Sequence, residues 1–187
     1  DNGVKSLVFG ADSDVVQSGR VATVQAIGGT GALRIGADFL KKVSPNARVL
    51  ISDPSWENHR ALFTQAGFTV GTYRYYDAAN RGINFAGFLA DLQAAPAETI
   101  VVLHACCHNP TGYDITPAQW DEVVQVVKSR KLTAFLDMAY QGFGHGIAED
   151  GAVVGKFVAA GVNFFVSTSF SKSFSLYGER VGALSVV

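Results

Sequence analysis

The sequence predicts an α/β fold in three layers, with helices on both faces of a seven-stranded, mostly parallel sheet. Strand-like and helix-like patterns alternate along the chain, as a parallel sheet with helical crossovers requires. Most strand-like runs are continuously apolar, which is typical of strands buried on both faces. The segment between Lys172 and Val181 is too short for the crossover of a dozen or more residues that parallel neighbours need. The last strand is therefore predicted to run antiparallel.

Each predicted strand is a short apolar or alternating run bounded by glycine, proline or polar residues. In chain order the predicted strands cover residues 20–27, 48–52, 68–76, 99–104, 132–136, 164–166 and 181–187. The third of these alternates apolar and polar side chains, which favours a half-exposed strand at the edge of the sheet.

The helices are predicted from apolar residues that recur at helical spacing. The first long helix runs from Gly31 toward Pro45, and its expected buried residues are Ala32, Ile35, Phe39, Leu40 and Val43. Further helices are predicted over residues 57–65, after a cap at Asn84, after Thr116 and after a cap at Asp150. Thr116 is the clearest start, because proline follows it directly and glutamine stands three positions later. Residues 1–20 show only a weak helical pattern.

The composition is that of an ordinary soluble globular domain. The chain has 187 residues, of which 48% are hydrophobic and 17% charged, and its formal net charge is −1. Such a balance offers no electrostatic basis for binding nucleic acid or an anionic membrane surface. No apolar run approaches the roughly 20 residues that span a bilayer. The adjacent cysteines Cys106 and Cys107 are expected to be free thiols, which indicates a reducing, cytoplasmic compartment.

Small and polar residues follow several predicted strands at the point where each strand ends. They are the segments 28–31, 53–56, 107–110, 137–140 and 169–172. Because ligands of parallel α/β sheets bind outside the carboxyl ends of the strands, these segments are expected to meet at one site.

The segment Gly28-Gly29-Thr30-Gly31 opens a helix directly after a strand. Backbone N–H groups at a helix start attract anions, and glycine lets the backbone approach a phosphate closely. A plain glycine turn explains the same residues equally well. The pattern is not the G-x-G-x-x-G of dinucleotide sites, which disfavours a nicotinamide cofactor.

Lys172 stands among serines just past an apolar strand, with Arg180 eight positions later. A lysine in such a place can act as a nucleophile toward a carbonyl, and hydroxyls with an arginine can hold a phosphate. The pattern points to pyridoxal phosphate bound as a Schiff base. A solvated lysine on a surface loop remains the alternative.

Asp137 ends an apolar strand, where a carboxylate needs a partner. A protonated pyridine nitrogen would be one, with His59 hydrogen-bonded behind the carboxylate, and a helix cap or structural pair is the alternative. Tyr140 and Asn109 could bind a ring oxygen, and Trp56 could stack on a cofactor ring, although packed or turn residues are the simpler interpretation of each. The remaining histidines show no metal-ligand spacing with the cysteines, so no metal site is predicted.

Five motifs together resemble the fold type I aminotransferases that depend on pyridoxal phosphate. They are IGGTGALRIGADFL, SDPSWENH, CCHNPTG, FLDMAYQGF and SFSKSFSLYGERVG, in the family's order between residues 27 and 182. The sequences of these motifs are most similar to the aspartate and aromatic-amino-acid branch of the family, above all to the bacterial tyrosine aminotransferases. The resemblance implies the large domain of the pyridoxal-phosphate transferases, with strand order 3-2-4-5-6-7-1 and the seventh strand antiparallel.

The resemblance also implies a role for each matching residue. Lys172 would form the Schiff base and shuttle the substrate proton, Asp137 would pair the pyridine nitrogen, and Tyr140 would bind the ring oxygen. The other expected contacts to the cofactor are Gly29, Thr30, Trp56, Asn109, Ala139, Ser169, Ser171 and Arg180, with His59 behind Asp137. The prolines that match the family's cis prolines are Pro54 and Pro110.

The resemblance implies that residues 1–187 form the central large domain of a homodimeric enzyme about twice as long. An N-terminal arm and a C-terminal small domain, which carries the arginine for the substrate carboxylate, would lie outside the chain. The implied activity is transamination of aromatic or dicarboxylic amino acids with 2-oxo acids such as 2-oxoglutarate. Two other interpretations stay open: a pyridoxal-phosphate-binding fragment without turnover, and a nucleotide-binding α/β module.

Overall fold

The computed structural model describes residues 1–187 and contains one large mixed sheet between two layers of helices. The helices are α1 (Asn2–Phe9), α2 (Asp14–Gln17), α3 (Gly28–Val43), α4 (Glu57–Gln65), α5 (Phe85–Ala94), α6 (Pro117–Ser129) and α7 (Ile147–Ala160). The strands are β1 (Ala22–Ile27), β2 (Val49–Asp53), β3 (Val70–Arg74), β4 (Tyr76–Asp77), β5 (Gly82–Ile83), β6 (Ile100–His104), β7 (Thr133–Met138), β8 (Phe164–Ser169) and β9 (Val181–Val186). None of the seven helices combines the length and the apolar character that a bilayer span requires.

Seven strands form the main sheet in the order β1-β9-β8-β7-β6-β2-β3. β9 pairs antiparallel with both of its neighbours, β1 and β8, and every other pair in this sheet is parallel. Numbered by chain position within the sheet, the order is 3-2-4-5-6-7-1, as the resemblance implied. The predicted fold class is therefore confirmed, including the antiparallel last strand.

Two apolar cores lie on opposite faces of the sheet. Alternate residues of one strand point to opposite faces, so Val101 and Leu103 of β6 join the larger core while Val102 joins the smaller one. The larger core is covered by α1, α2, α5, α6 and α7, and the smaller by α3 and α4. Because both faces are covered, the central strands carry apolar side chains on both sides, and β6 is a continuous apolar run up to His104.

The predicted buried face of α3 is partly wrong. Ile35, Phe39 and Val43 are 42%, 48% and 56% exposed, and the helix instead buries Ala32, Leu33, Gly36, Ala37 and Leu40. The reason is close packing, because a Cβ on Gly36 would lie 2.5 Å from the Phe135 ring. Small residues bring α3 onto the sheet and turn its larger side chains outward.

Three further predictions need correction. Residues 1–20 form two helices, α1 and α2, rather than a weakly helical segment. The third predicted strand ends at Arg74, and the chain then forms the small antiparallel hairpin β4–β5. Asp150 lies inside α7 rather than capping it, and its carboxylate accepts N–H groups of Gly142, Gly144 and His145 in the preceding loop. Asp150 lies in the first turn of α7, so its carboxylate is close to the loop that leads into that helix.

The other local predictions are confirmed. Thr116 and Gln119 form a reciprocal capping box at the start of α6, and Asn84 caps α5 by accepting the N–H of Gly87. The peptide bonds before Pro54 and Pro110 are both cis.

Candidate active site

A cavity of about 410 Å³ opens at the carboxyl ends of the parallel strands. Fourteen residues line it: Gly29, Thr30, Leu33, Trp56, His104, Asn109, Asp137, Ala139, Tyr140, Ser169, Ser171, Lys172, Tyr177 and Arg180. Every residue that the sequence predicted to contact a cofactor is in this lining, and His59 lies directly behind it. The five loop segments predicted to converge do converge.

One end of the cavity, called the anion cradle below, is formed by the start of α3 with Ser169, Ser171 and Arg180, and these groups are suited to an anion. The helix begins at Gly28 itself, with a backbone φ of +72° that favours glycine. The Ser167 hydroxyl donates to the Gly29 carbonyl at 3.1 Å and ties the helix start to β8. A Cβ on Gly29 would lie 3.1 Å from the Ser169 Cβ, which is a tight contact, so glycine favours this close approach. Gly29 therefore lines the cavity with backbone alone, and the N–H groups of the first helical turn have no partner within the helix.

Arg180 closes the same end of the cavity. Its guanidinium donates to the Ser171 hydroxyl at 3.4 Å and to the Tyr177 carbonyl at 3.1 Å, and no carboxylate lies within salt-bridge distance of it. A Cβ on Gly28 would lie 2.7 Å from its Nη2 atom. An arginine without an acidic partner, beside serine hydroxyls and a helix N-terminus, is suited to binding a phosphate.

Asp137 forms the floor of the cavity near the middle of the sheet. It stands opposite His104 of β6 and Ser167 of β8 in the strand register. Its Oδ2 atom lies 2.7 Å from His59 Nε2, and the Ser55 hydroxyl lies 2.9 Å from His59 Nδ1. His59 is fully buried and is the only protein hydrogen-bond partner of this carboxylate. The chain from Ser55 through His59 fixes Asp137 while leaving it able to accept a second donor from the cavity.

Lys172 lies just past β8 and reaches over the cavity between two aromatic rings. Its Nζ atom is 4.7 Å from the centre of the Tyr140 ring and 5.3 Å from that of Tyr177. No carboxylate pairs with it. The amine is thus held by contacts with ring faces rather than by an ion pair, and it stays available for covalent chemistry.

Trp56 and Asn109 line the remaining walls. Trp56 lies directly before α4 and packs edge to face against His59, with ring centres 5.3 Å apart. Asn109 lies in the loop after β6. In this loop the backbone N–H groups of Cys107 and His108 donate hydrogen bonds to the Asp114 carboxylate. This carboxylate holds the loop in place, so Asn109 is presented to the cavity by a fixed backbone.

His104 is a site residue that the sequence analysis did not select. It is the last residue of β6, and both of its ring nitrogens are buried without a protein partner. Burial, together with the neighbouring His59 and His108, lowers its pKa well below the usual range. Its neutral ring packs 5.0 Å from His59 and 4.2 Å from His108. The signal was present, since His104 ends an apolar strand at the same edge of the sheet as Asp137.

His108 lies behind the cavity wall and is fully partnered. Its two nitrogens contact the hydroxyls of Ser52 and Thr111 at 2.8 Å each, and its ring stacks on Tyr75. Burial lowers its pKa to about 4. His108 therefore supports the loop as a neutral ring at physiological pH.

A cluster of potential metal donors lies outside the cavity. One donor atom each from Cys106, Cys107 and Asp150 falls within 4.8 Å of the others, and both cysteines are free thiols. The Asp150 carboxylate already accepts three backbone N–H groups, and burial raises the pKa of both thiols. The Asp150 carboxylate therefore holds the 142–145 loop against the first turn of α7.

Comparison with known proteins gives consistent matches over the whole chain. Aspartate aminotransferase of Pseudomonas aeruginosa is 64% identical over 187 residues, which are all of this chain and 47% of that protein. Aromatic-amino-acid aminotransferase of Escherichia coli is 55% identical over 184 residues, covering 98% of this chain and 46% of that one. The chain therefore spans about half the length of the curated relatives it matches.

The solved structures agree with this. Aromatic-amino-acid aminotransferase from Burkholderia pseudomallei, covalently bound to pyridoxal phosphate, superposes with a TM-score of 0.99 at 63% identity, covering 100% of this chain and 47% of that one. The family description "Aminotransferase class I and II" matches residues 3–187. With the mixed sheet, the anion cradle and the lysine already in place, this match over nearly the whole chain means that the protein belongs to the class I and II aminotransferases.

Proposed function

We propose that residues 1–187 form the large domain of an aminotransferase and that its cavity binds pyridoxal phosphate. The observation that carries this proposal is that three unlike groups line one cavity: an anion cradle at the start of α3, a buried carboxylate at Asp137 and an amine at Lys172. Pyridoxal phosphate carries a phosphate, a ring nitrogen and an aldehyde, and each finds a complementary group here.

The residues present fit the cofactor on structural grounds. Gly29, Thr30, Ser169, Ser171 and Arg180 would hold the phosphate, since they offer N–H groups, hydroxyls and a cation without an acidic partner. Asp137 would accept a hydrogen bond from the ring nitrogen on the side away from His59. Tyr140 and Asn109 would donate to the ring oxygen, and Trp56 with Ala139 would enclose the ring. When bound, the cofactor supplies an electron sink for the carbanion chemistry of amino acids.

The chain's own residues would then perform three tasks. The Lys172 amine would be the group that holds the cofactor covalently, and as a free amine it would be the base that takes the proton from the substrate α-carbon. Asp137 would keep a positive charge on the ring nitrogen, because a buried carboxylate is stabilised by a cation. His59 and Ser55 would hold that carboxylate in orientation throughout.

We propose transamination of aromatic or dicarboxylic amino acids with a 2-oxo acid such as 2-oxoglutarate as the activity of the full-length protein. The support is the identity of the relatives, which are named as aspartate and as aromatic-amino-acid enzymes. The resemblance to this branch supports a homodimer, and the two free thiols favour the cytoplasm. A full-length chain should convert tyrosine or aspartate with 2-oxoglutarate, whereas residues 1–187 alone should bind the cofactor without comparable turnover.

Trapping of the cofactor on the protein tests the site directly. After addition of pyridoxal phosphate and reduction with borohydride, peptide mass spectrometry should find the label on Lys172. The Lys172→Ala variant should lose the label and the visible absorbance of the bound cofactor, while Lys42→Ala, on the exposed side of α3, should retain both. Equal labelling of the Lys172→Ala variant would overturn the proposal.

A further inference from the structure

Tyr177 lines the cavity, but the sequence analysis predicted no role for it. It lies five positions after Lys172, in the loop between β8 and β9, and its side chain is 64% exposed. Nevertheless its ring lines the cavity beside Lys172 and Arg180. An aromatic ring on a polar loop, turned toward two cations, calls for a reason other than burial.

The ring of Tyr177 contacts both cationic side chains of the site. The Lys172 Nζ atom lies 5.3 Å from the ring centre, and the Arg180 Cζ atom lies 5.9 Å from it. Both distances are within the range of cation–π attraction. The Tyr177 backbone carbonyl also accepts a hydrogen bond from Arg180 Nη1 at 3.1 Å. One residue therefore contacts the amine and the guanidinium together.

Neither cation has a stronger partner that would fix it. No carboxylate lies within salt-bridge distance of Lys172 or Arg180, and the only hydroxyl contact of Arg180, to Ser171, is long at 3.4 Å. The lysine amine also lies 4.7 Å from the centre of the Tyr140 ring. The two tyrosine rings are therefore both within cation–π range of the amine.

We propose that Tyr177 is a positioning residue, which holds the Lys172 amine and the Arg180 guanidinium toward the cavity through its ring face. This inference rests on the proposed function, since it concerns how Lys172 and Arg180 meet pyridoxal phosphate. Ring contacts suit this task because they hold a cation in place without supplying an acidic group that would compete for the phosphate or for the amine's proton. The aromatic ring of Tyr177, not its hydroxyl group, positions these two cations.

The test compares two substitutions that separate the ring from the hydroxyl. Tyr177→Phe keeps the ring, and Tyr177→Leu removes it. The measurements are the rate of borohydride-trapped labelling of Lys172 at limiting pyridoxal phosphate and the dissociation constant of the cofactor from its absorbance. Tyr177→Phe should stay within twofold of the unaltered protein, whereas Tyr177→Leu should slow labelling and weaken binding by about twofold to fivefold, the size of exposed cation–π contacts. Phe174→Leu is a matched control, since Phe174 is an exposed ring of the same loop that does not line the cavity.

The outcomes separate this inference from the proposed function. Equal behaviour of Tyr177→Leu and the unaltered protein, with Lys172→Ala still unlabelled, overturns the role of Tyr177 and leaves the cofactor site intact. A Tyr177→Phe variant as weak as Tyr177→Leu overturns it as well, because the hydroxyl would then be the active group. Labelling of Lys172→Ala at the normal level overturns the function itself. Circular dichroism melting of each variant checks that the fold is retained.

Discussion

Replacement of His59 by leucine should destabilise the fold through the carboxylate it leaves behind. His59 is fully buried, the Asp137 side chain is 8% exposed, and the distance between their bonded atoms is 2.7 Å. His59 is the only protein partner of this carboxylate, so the variant leaves a buried charged acceptor unpaired. Breaking a buried pair costs about 3–5 kcal/mol, and a hydrogen bond to a charged group is worth about 1.5–3 kcal/mol.

The access of water to Asp137 determines which of these two free-energy ranges applies. Water can reach the free side of the carboxylate, because Asp137 lines an open cavity. The lower range therefore applies, and we expect His59→Leu to lower the free energy of unfolding by about 2–3 kcal/mol. For a domain of this length, that loss corresponds to a fall in melting temperature of roughly 4–12 °C.

A double-mutant cycle measured by urea unfolding isolates the interaction. In the Asp137→Asn background the carboxylate is a neutral amide, so His59→Leu should cost about 1 kcal/mol or less. The coupling energy between the two positions should then be about 1–2 kcal/mol. Equal losses in both backgrounds would refute the reasoning, since the cost would come from packing of the histidine rather than from the unpaired charge.

Three further predictions follow from local structure. Burial lowers the pKa of His104, and it lowers the pKa of His108 to about 4 from a usual value of 6.5. Between about pH 6.5 and pH 4 the unfolded chain therefore binds protons that the folded chain does not. The free energy of unfolding should therefore fall as the pH drops from about 6.5 to 4 and should stay level just above pH 6.5. In the His108→Gln variant this fall should be shallower, and urea titrations at several pH values measure both slopes. Thr116→Ala should cost about 1 kcal/mol by removing the capping hydroxyl, and Thr116→Ser should restore most of it in the same assay. Gly182→Ala should cost roughly 1–3 kcal/mol in thermal melts, because its Cβ would lie 2.4 Å from backbone at the start of α3, whereas Gly155→Ala, with open space, should cost nothing.

Much of the architecture follows from hydrophobic patterning alone. The strands of the main sheet were located because continuous apolar runs are buried on both faces, and α6 was located because its capping box is a local hydrogen-bond pattern. The order of the strands is not encoded in such patterns. It followed instead from the resemblance to a family whose sheet is known.

The errors share a physical cause, which is that close packing depends on the partner surface. The outward-facing residues of α3 were expected to be buried because periodicity counts large apolar side chains. The structure buries Gly36 and Ala37 instead, since small residues allow the helix to approach Phe135. A pattern of residue sizes on one helix does not reveal where a ring on the sheet will lie.

The same reasoning explains which site residues the sequence could reveal. Lys172 and Asp137 are polar residues that interrupt apolar runs, so they are conspicuous in any α/β sequence. Tyr177 is one aromatic residue among several in a polar loop, and this loop, which has left-handed backbone at Ser175 and Arg180, places it in the cavity lining. Neither Ser175 nor Arg180 is glycine, so these turns could not be predicted from residue type.

The polar site lies at the strand ends because the sheet leaves no other place for it. Inside the sheet both faces of β6, β7 and β8 are covered by apolar layers, where an unpaired lysine or carboxylate would be costly. At the carboxyl edge, α3 starts with free N–H groups and the loops bring Asp137 and Lys172 to one cavity. Asp137, a buried carboxylate at this edge, is held by a dedicated pair of supporting side chains in His59 and Ser55. The exposed loop that carries Lys172 provides no such pair, and the Lys172 amine lies beside the rings of Tyr140 and Tyr177 instead.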